Sequence, residues 1–277
     1  MTRLAFDHAA VRGPLPAVPA PGPMEAHLRA VRATGRKLLV PYLTGGLPGW
    51  TDMVRAVVDA GADAVEIGIP FSDPAMDGPV IQAASERALR LGVTPASIFA
   101  EARTLDVDVP VVAMTYYNLA FHMGDDRCAG ELADSGFSGM ILPDVPVEEQ
   151  GPWSAAAEAA GIETVLLAGP ITPDDRLALV CEHSRGYIYG VNLMGITGER
   201  ASVAESSAVL AARLKAVTDL PVLMGFGVST PEQAVVVAAP ADGVIVGTAF
   251  VRRVLDGATP EELGAAVAAM RAALDAD

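Results

Sequence analysis

At 277 residues, 51% of them hydrophobic, the chain can build one large α/β domain or two small ones. A formal net charge of -15 argues against a nucleic-acid partner, which calls for a basic face, and no apolar run is long enough to span a bilayer. The two cysteines, Cys128 and Cys181, make neither a disulfide framework nor a zinc site, so a reducing cytoplasm is the simplest location.

Residues 1–23 hold Pro14, Pro16, Pro19, Pro21 and Pro23 with little apolar periodicity. They read as a Pro-rich flexible arm and lack the continuous apolar stretch of a secretory signal. Residues 24–32 form a short amphipathic helix, and then a pattern repeats. Strand-like apolar runs fall at 38–42, 62–67, 109–114, 139–142, 163–167, 186–189, 221–224 and 243–246. Helical stretches separate them, at 50–60, 80–91 with 95–104, 126–134, 147–160, 173–183, 206–217 and 231–238. Residues 251–255 and 260–274 close the chain. Continuous apolar strands are what a parallel sheet covered by helices requires. Eight of them, each followed by a helix, predict a single α/β domain over 24–277: a closed (β/α)8 TIM barrel with an extra N-terminal helix. A doubly wound open sheet is the alternative. It would carry a Gly-rich fingerprint after its first strand, where this chain has Tyr42-Leu43-Thr44-Gly45-Gly46.

In a barrel the chemistry lies in the loops after the strands. Only two lysines are present, Lys37 before the first strand and Lys215 in a helix, so imine chemistry has no lysine at the active face. Four histidines are scattered, and only His122 falls in a suitable loop, so no metal site is expected. Carboxylate acid–base chemistry remains. Glu66 sits near the end of strand two on the same face as Ala64. The loop after it, through Pro70, Asp73, Pro74, Asp77 and Gly78, is kept irregular by Pro and Gly. No Lys or Arg occurs between Arg55 and Arg87, so Glu66 and Asp77 lack a basic partner nearby in sequence and are candidates for raised pKa values. The plainer readings are a structural acid for Glu66, a turn for Asp77-Gly78 and an Asx turn for Asp73.

Two further constellations stand near the C-terminus of the chain. Gly225-Phe226-Gly227 after strand seven and Gly247-Thr248 after strand eight allow backbone amides to close around a phosphate, helped by a short helix starting near Thr248; an ordinary strand-to-helix turn is the plainer reading of Gly-Phe-Gly. Gly195-Ile196-Thr197-Gly198 after strand six reads as a lid, with an ordinary surface loop as the plainer reading. Tyr42, Met114, Ile141, Leu167, Tyr189 and Phe226 at strand ends offer a flat apolar pocket, or are simply barrel core.

The run Glu66-Ile67-Gly68-Ile69-Pro70-Phe71-Ser72-Asp73-Pro74, continuing to Asp77-Gly78-Pro79, resembles the signature of the tryptophan synthase α subunit family. The resemblance extends in order through Pro41–Gly46, Tyr116-Tyr117-Asn118, Pro143–Glu149, Gly195–Gly198, Gly225–Ser229 and Gly247-Thr248. It implies a barrel lyase that cleaves indole-3-glycerol phosphate to indole and glyceraldehyde 3-phosphate. Under that resemblance Glu66 is the general acid–base and Asp77 the acceptor of the indole N–H. Gly198, Phe226, Gly227, Gly247 and Thr248 hold the phosphate, and Thr197 brings the lid onto Asp77. Tyr42, Met114, Ile141, Tyr189 and Phe226 sandwich the ring. The resemblance also implies a pyridoxal-phosphate-dependent β subunit as partner in an α2β2 heterotetramer. The loop with Pro70 and Asp73, Asn118 and Pro146 would face that partner, and no cofactor would sit on this chain. Leu47 and Asn192-Leu193-Met194 depart from the family pattern. The rival functions are a stand-alone indole-3-glycerol-phosphate lyase and a non-catalytic phospho-ligand-binding activator subunit.

Overall fold

A computed structural model describes residues 18–191, 200–225 and 227–276. Eight parallel strands close into one barrel in chain order: β1 Leu38–Thr44, β2 Val65–Gly68, β3 Val111–Met114, β4 Gly139–Ile141, β5 Glu163–Ala168, β6 Ile188–Val191, β7 Val222–Gly225 and β8 Gly243–Val246. The helices are α1 Pro23–Ala33, α2 Trp50–Asp59, α3 Pro79–Arg90, α4 Pro95–Ala102, α5 Tyr117–Met123, α6 Asp125–Asp134, α7 Gly151–Ala160, α8 Asp174–His183, α9 Arg200–Lys215, α10 Pro231–Ala238, α11 Thr248–Leu255 and α12 Pro260–Asp275. The expected (β/α)8 barrel is the fold found. Most of the expected arm, residues 1–17, lies outside the described residues, as do Thr197 and Gly198 of the expected lid, Phe226, and the departure at Asn192-Leu193-Met194.

The two-residue period of the strands sorts the side chains. Leu38 and Val40 of β1 enter one buried cluster with Ala64, Val112, Ile141, Val165, Leu223 and Ile245, which fills the lumen. Leu39, Leu43, Val65 and Ile67 join the cluster shared with the helices outside. Glu66 therefore points inward, as its spacing from Ala64 required.

Helix α1 closes the N-terminal end of the barrel. Its N-cap, Gly22, has no side chain to offer, and the Glu163 carboxylate replaces it, accepting from the amides of Met24 at 2.7 Å and Glu25 at 3.1 Å. Both lysines are committed near this end. Lys37 donates to the carbonyls of Ala239 and Ala241, and Lys215 pairs with Asp242. The buried Asp63 accepts from the Leu39 amide and pairs with Arg36 and Arg271. These ion pairs serve stability at the closed end, opposite the loops where chemistry belongs.

Two boundaries differ from the sequence reading. The sequence places a loop with His122 between the strand at 109–114 and the helix at 126–134, yet Tyr117–Met123 is helix α5. Its N-terminus is satisfied from a distance: the Asp144 carboxylate accepts from the Tyr117 amide at 3.0 Å. That partner lies 27 residues away, so no local cap announces the helix. The stretch 147–160 was expected as one helix and divides into a 3-10 turn, Val147–Glu149, followed by α7. Pro152 explains the break: it lacks an N–H and fits only the first turn of a new helix.

Candidate active site

The C-terminal mouth of the barrel gathers residues that the chain keeps far apart. Glu66 stands in register between Tyr42 of β1 and Val112 of β3 and is fully buried. Its Oε1 accepts a hydrogen bond from the Tyr187 hydroxyl at 2.5 Å, while Oε2 has no protein partner. Among the described residues no basic side chain pairs with it. Burial raises its pKa to about 8 against the opposing Tyr187 bond, so near neutral pH Glu66 is largely a protonated acid. A bare, buried oxygen that is half committed to a phenol can give and take a proton once a substrate supplies the other partner.

Asp77 lies in the loop between β2 and α3, partly buried, and desolvation lifts its pKa to about 6. The Tyr116 hydroxyl opposes that shift by donating to the carboxylate, and it accepts from the Met76 amide at 2.8 Å. Phe71 stacks on the Tyr116 ring with centroids 5.1 Å apart, which ties the loop to the end of β3. At neutral pH Asp77 is therefore mostly the anion and Glu66 mostly the acid. Two like groups in one site have been separated into two roles by their surroundings.

Both carboxylates act on the same two phenols. Tyr42 and Tyr189 each have the pKa raised, first by burial and then by the charges of Glu66 and Asp77. The two acids thus converge on one mouth, with Tyr42 and Tyr189 as walls. Met114 packs against both the lumen and the cluster around Tyr42, and its register partner on β4, Ile141, is fully buried in the lumen. The tyrosines Tyr187 and Tyr116 hold the acids, and neither was singled out for such a role from the sequence. Tyr187 was available to the two-residue period, since it lies on the same strand face as Tyr189. Tyr116 belonged to a recognised motif, but its contact with Asp77 is a matter of tertiary placement.

On the far side, Gly225 at the end of β7 is in register with Ile245 of β8, so the loops after these strands are neighbours. Helix α11 begins at Thr248 with Gly247 as its N-cap and no side-chain cap. The amides of Phe250 and Val251 already donate to the Gly247 carbonyl, so Thr248 and Ala249 at the helix start and Gly227, with a φ of 61°, are the groups that could meet an anion there. No lysine or arginine is needed for it. Of the expected partner-facing residues, Asp73, Asn118 and Pro146 are exposed on loops or short helices at this end of the barrel. Pro70 is not: it is buried beneath its loop and shapes that surface from below. Leu47, where the chain departs from the family pattern, is 3% exposed and packs with Tyr42, Ala84, Ala88 and Val251, so its side chain supports the pocket wall.

A closed (β/α)8 barrel with two differently poised carboxylates at its C-terminal mouth is the frame of an acid–base enzyme. Comparison with known proteins gives the family. A family model described as tryptophan synthase alpha chain matches residues 28–275. The tryptophan synthase alpha chain of Streptomyces avermitilis is 46% identical over 250 residues, covering 88% of this chain and 89% of that one. The one from Halorhodospira halophila is 44% identical over 257 residues, covering 89% and 94%. Among solved structures, tryptophan synthase subunit alpha from Legionella pneumophila superposes with a TM-score of 0.86 at 33% identity, over 93% of this chain and all of that one. Mycobacterium tuberculosis tryptophan synthase gives 0.85 at 36% identity, over 92% of this chain and 99% of the matched chain. The chain belongs to the tryptophan synthase alpha chain family. It is a carbon–carbon lyase that cleaves indole-3-glycerol phosphate in tryptophan biosynthesis, and the family implies a β-subunit partner.

Proposed function

We propose that Glu66 and Asp77 carry this cleavage between them, as a retro-aldol reaction without metal or imine. Protonated Glu66 delivers its proton to C3 of the indole ring, which turns the ring into an indoleninium electron sink. The bond from C3 to the glycerol carbon then breaks and its electrons return to the ring. The hydroxyl on that carbon becomes the aldehyde of glyceraldehyde 3-phosphate, and its proton goes to Glu66, which regains the acid form. Asp77, ionised, accepts the ring N–H and stabilises the positive charge that develops there. The amides at Gly227, Gly247 and Thr248, with Gly198 and Phe226, hold the phosphate. Tyr42, Met114, Ile141, Tyr189 and Phe226 bound the ring, and Thr197 draws the lid onto Asp77.

The observation that carries this reading is the pair of uncompensated acids with separated pKa values, about 8 and about 6, facing the same two tyrosines. The surface supports a partner at the mouth. Asp73, Asn118 and Pro146 are exposed at the mouth, and Phe121 of α5 and Ile171 after β5 are 65% and 83% exposed beside them. Large apolar side chains exposed among these residues fit a docking face there. We assign that face to a β subunit, in an α2β2 assembly of the cytoplasm, and the pyridoxal phosphate to that subunit. Both lysines of this chain are engaged at the closed end of the barrel.

An indole-release assay on the purified chain, with and without β subunit, tests the reading. Slow cleavage alone and at least about tenfold faster cleavage with β are expected, the stimulation reflecting closure over the substrate. Full activity without β would make the chain a stand-alone lyase. Activation of β with no indole released would make it a ligand-binding activator.

A further inference from the structure

The glycine that ends β2 has a specific neighbour. A Cβ built on Gly68 would lie 1.8 Å from the Tyr42 hydroxyl oxygen, 2.5 Å from Cζ and 3.0 Å from Cε2. Its three nearest atoms thus all belong to Tyr42. Gly68 lies in a strand and does not have a positive φ, so its backbone is open to any residue. The phenol of Tyr42 is what requires a glycine there. Tyr42 cannot swing outward to make room. It is 5% exposed, it packs with Leu47, Ala84, Ala88 and Val251, and a Cβ on Gly247 would already stand 3.5 Å from its Cβ and Cδ1. The open direction for a displaced ring is the lumen, where Glu66 stands in register with Tyr42 itself.

We propose that Gly68 is a positioning residue for the lyase reaction, its missing side chain forming the seat on which the Tyr42 ring rests as a wall of the indole slot. The inference builds on the assignment of the slot above. An added methyl would push the ring by more than about 1.5 Å to reach ordinary contact. Displacements of about 1 Å near a reacting group can cost on the order of a hundredfold in rate.

The test is a double-mutant cycle in the chain bound to β, reading kcat and KM for indole release. Gly68→Ala is expected to lower kcat/KM about a hundredfold. It should weaken inhibition by indole-3-propanol phosphate, which fills slot and cradle without being cleaved, at least about tenfold. Inhibition by glyceraldehyde 3-phosphate, which needs only the cradle, should change less than about threefold. Tyr42→Leu lowers activity in the wild-type background but raises it in the Gly68→Ala background, because it removes the atoms the methyl strikes. That reversal of sign is the signature of the seat.

Gly68→Ala within threefold of wild type would overturn the proposal. So would a folded Gly68→Ala protein that Tyr42→Leu does not improve, or equal loss of both inhibitors. Should Gly68→Ala fail to fold, the double variant decides. Folding restored to the level of Tyr42→Leu, with activity within about threefold of it, supports the seat, and folding left unrestored contradicts it. A wild-type protein that releases no indole would instead strike at the assigned reaction.

Discussion

Glu66→Gln is expected to leave a well-folded protein that releases indole at least about a thousandfold more slowly than wild type, within the range for loss of a general acid–base group. Glutamine keeps the size of the side chain and a carbonyl to accept from Tyr187, so only the transferable proton is lost. The same variant should be the more stable protein at alkaline pH. The folded state raises the Glu66 pKa from 4.5 to about 8, so the native state holds that proton more tightly than the unfolded chain does. Wild type therefore loses stability as pH rises from the ordinary carboxylate range through about 8, and the neutral glutamine does not. Even half of that shift corresponds to about 2 kcal/mol. For a domain of this size that is a Tm higher by roughly 5 °C at pH 9. Loss of activity joined to a gain in stability distinguishes a poised acid from a structural one, since a Glu66 that held the fold together would lose both.

Asp77→Asn is expected to cost about a hundred- to a thousandfold in kcat, the magnitude for removing one group aimed at developing charge. Asparagine can still accept from the indole N–H, so KM should change little. What disappears is the negative charge opposite the cationic ring, which matters only once C3 is protonated. Adding β subunit should not restore the rate, because closure of the site cannot replace a missing charge. Kinetics of the wild-type and Asp77→Asn proteins with saturating β check this. A variant within tenfold of wild type would demote Asp77 to the turn residue that Asp-Gly pairs often are.

What could be read from the residues alone divides along physical lines. The barrel was legible because its strands are continuous apolar runs, and their two-residue period already turned Glu66 toward the lumen. The absence of local cations around Glu66 and Asp77 was visible too, and among the described residues no distant arginine pairs with either. Helix α5 was not legible, because the carboxylate that caps it, Asp144, belongs to the next strand's loop. Nor were the phenols that hold the two acids. Tyr187 reaches Glu66 across 121 residues and Tyr116 reaches the Met76 amide across 40, and only closure of the barrel sets such distances. Pro70 shows the opposite failure. A loop motif marked it as surface, and burial of the loop's underside took it away from the surface.

The pH dependence of kcat/KM for indole release by the chain bound to β reads both acids in the free enzyme at once. With Glu66 as the acid and Asp77 as the anion the profile is a bell, rising through about pH 6 as Asp77 ionises and falling through about pH 8 as Glu66 loses its proton. In Tyr187→Phe the alkaline limb should move upward, since the lost hydrogen bond favours the ionised Glu66. A profile flat from about pH 5 to about pH 9, or an alkaline limb that Tyr187→Phe leaves in place, would contradict it.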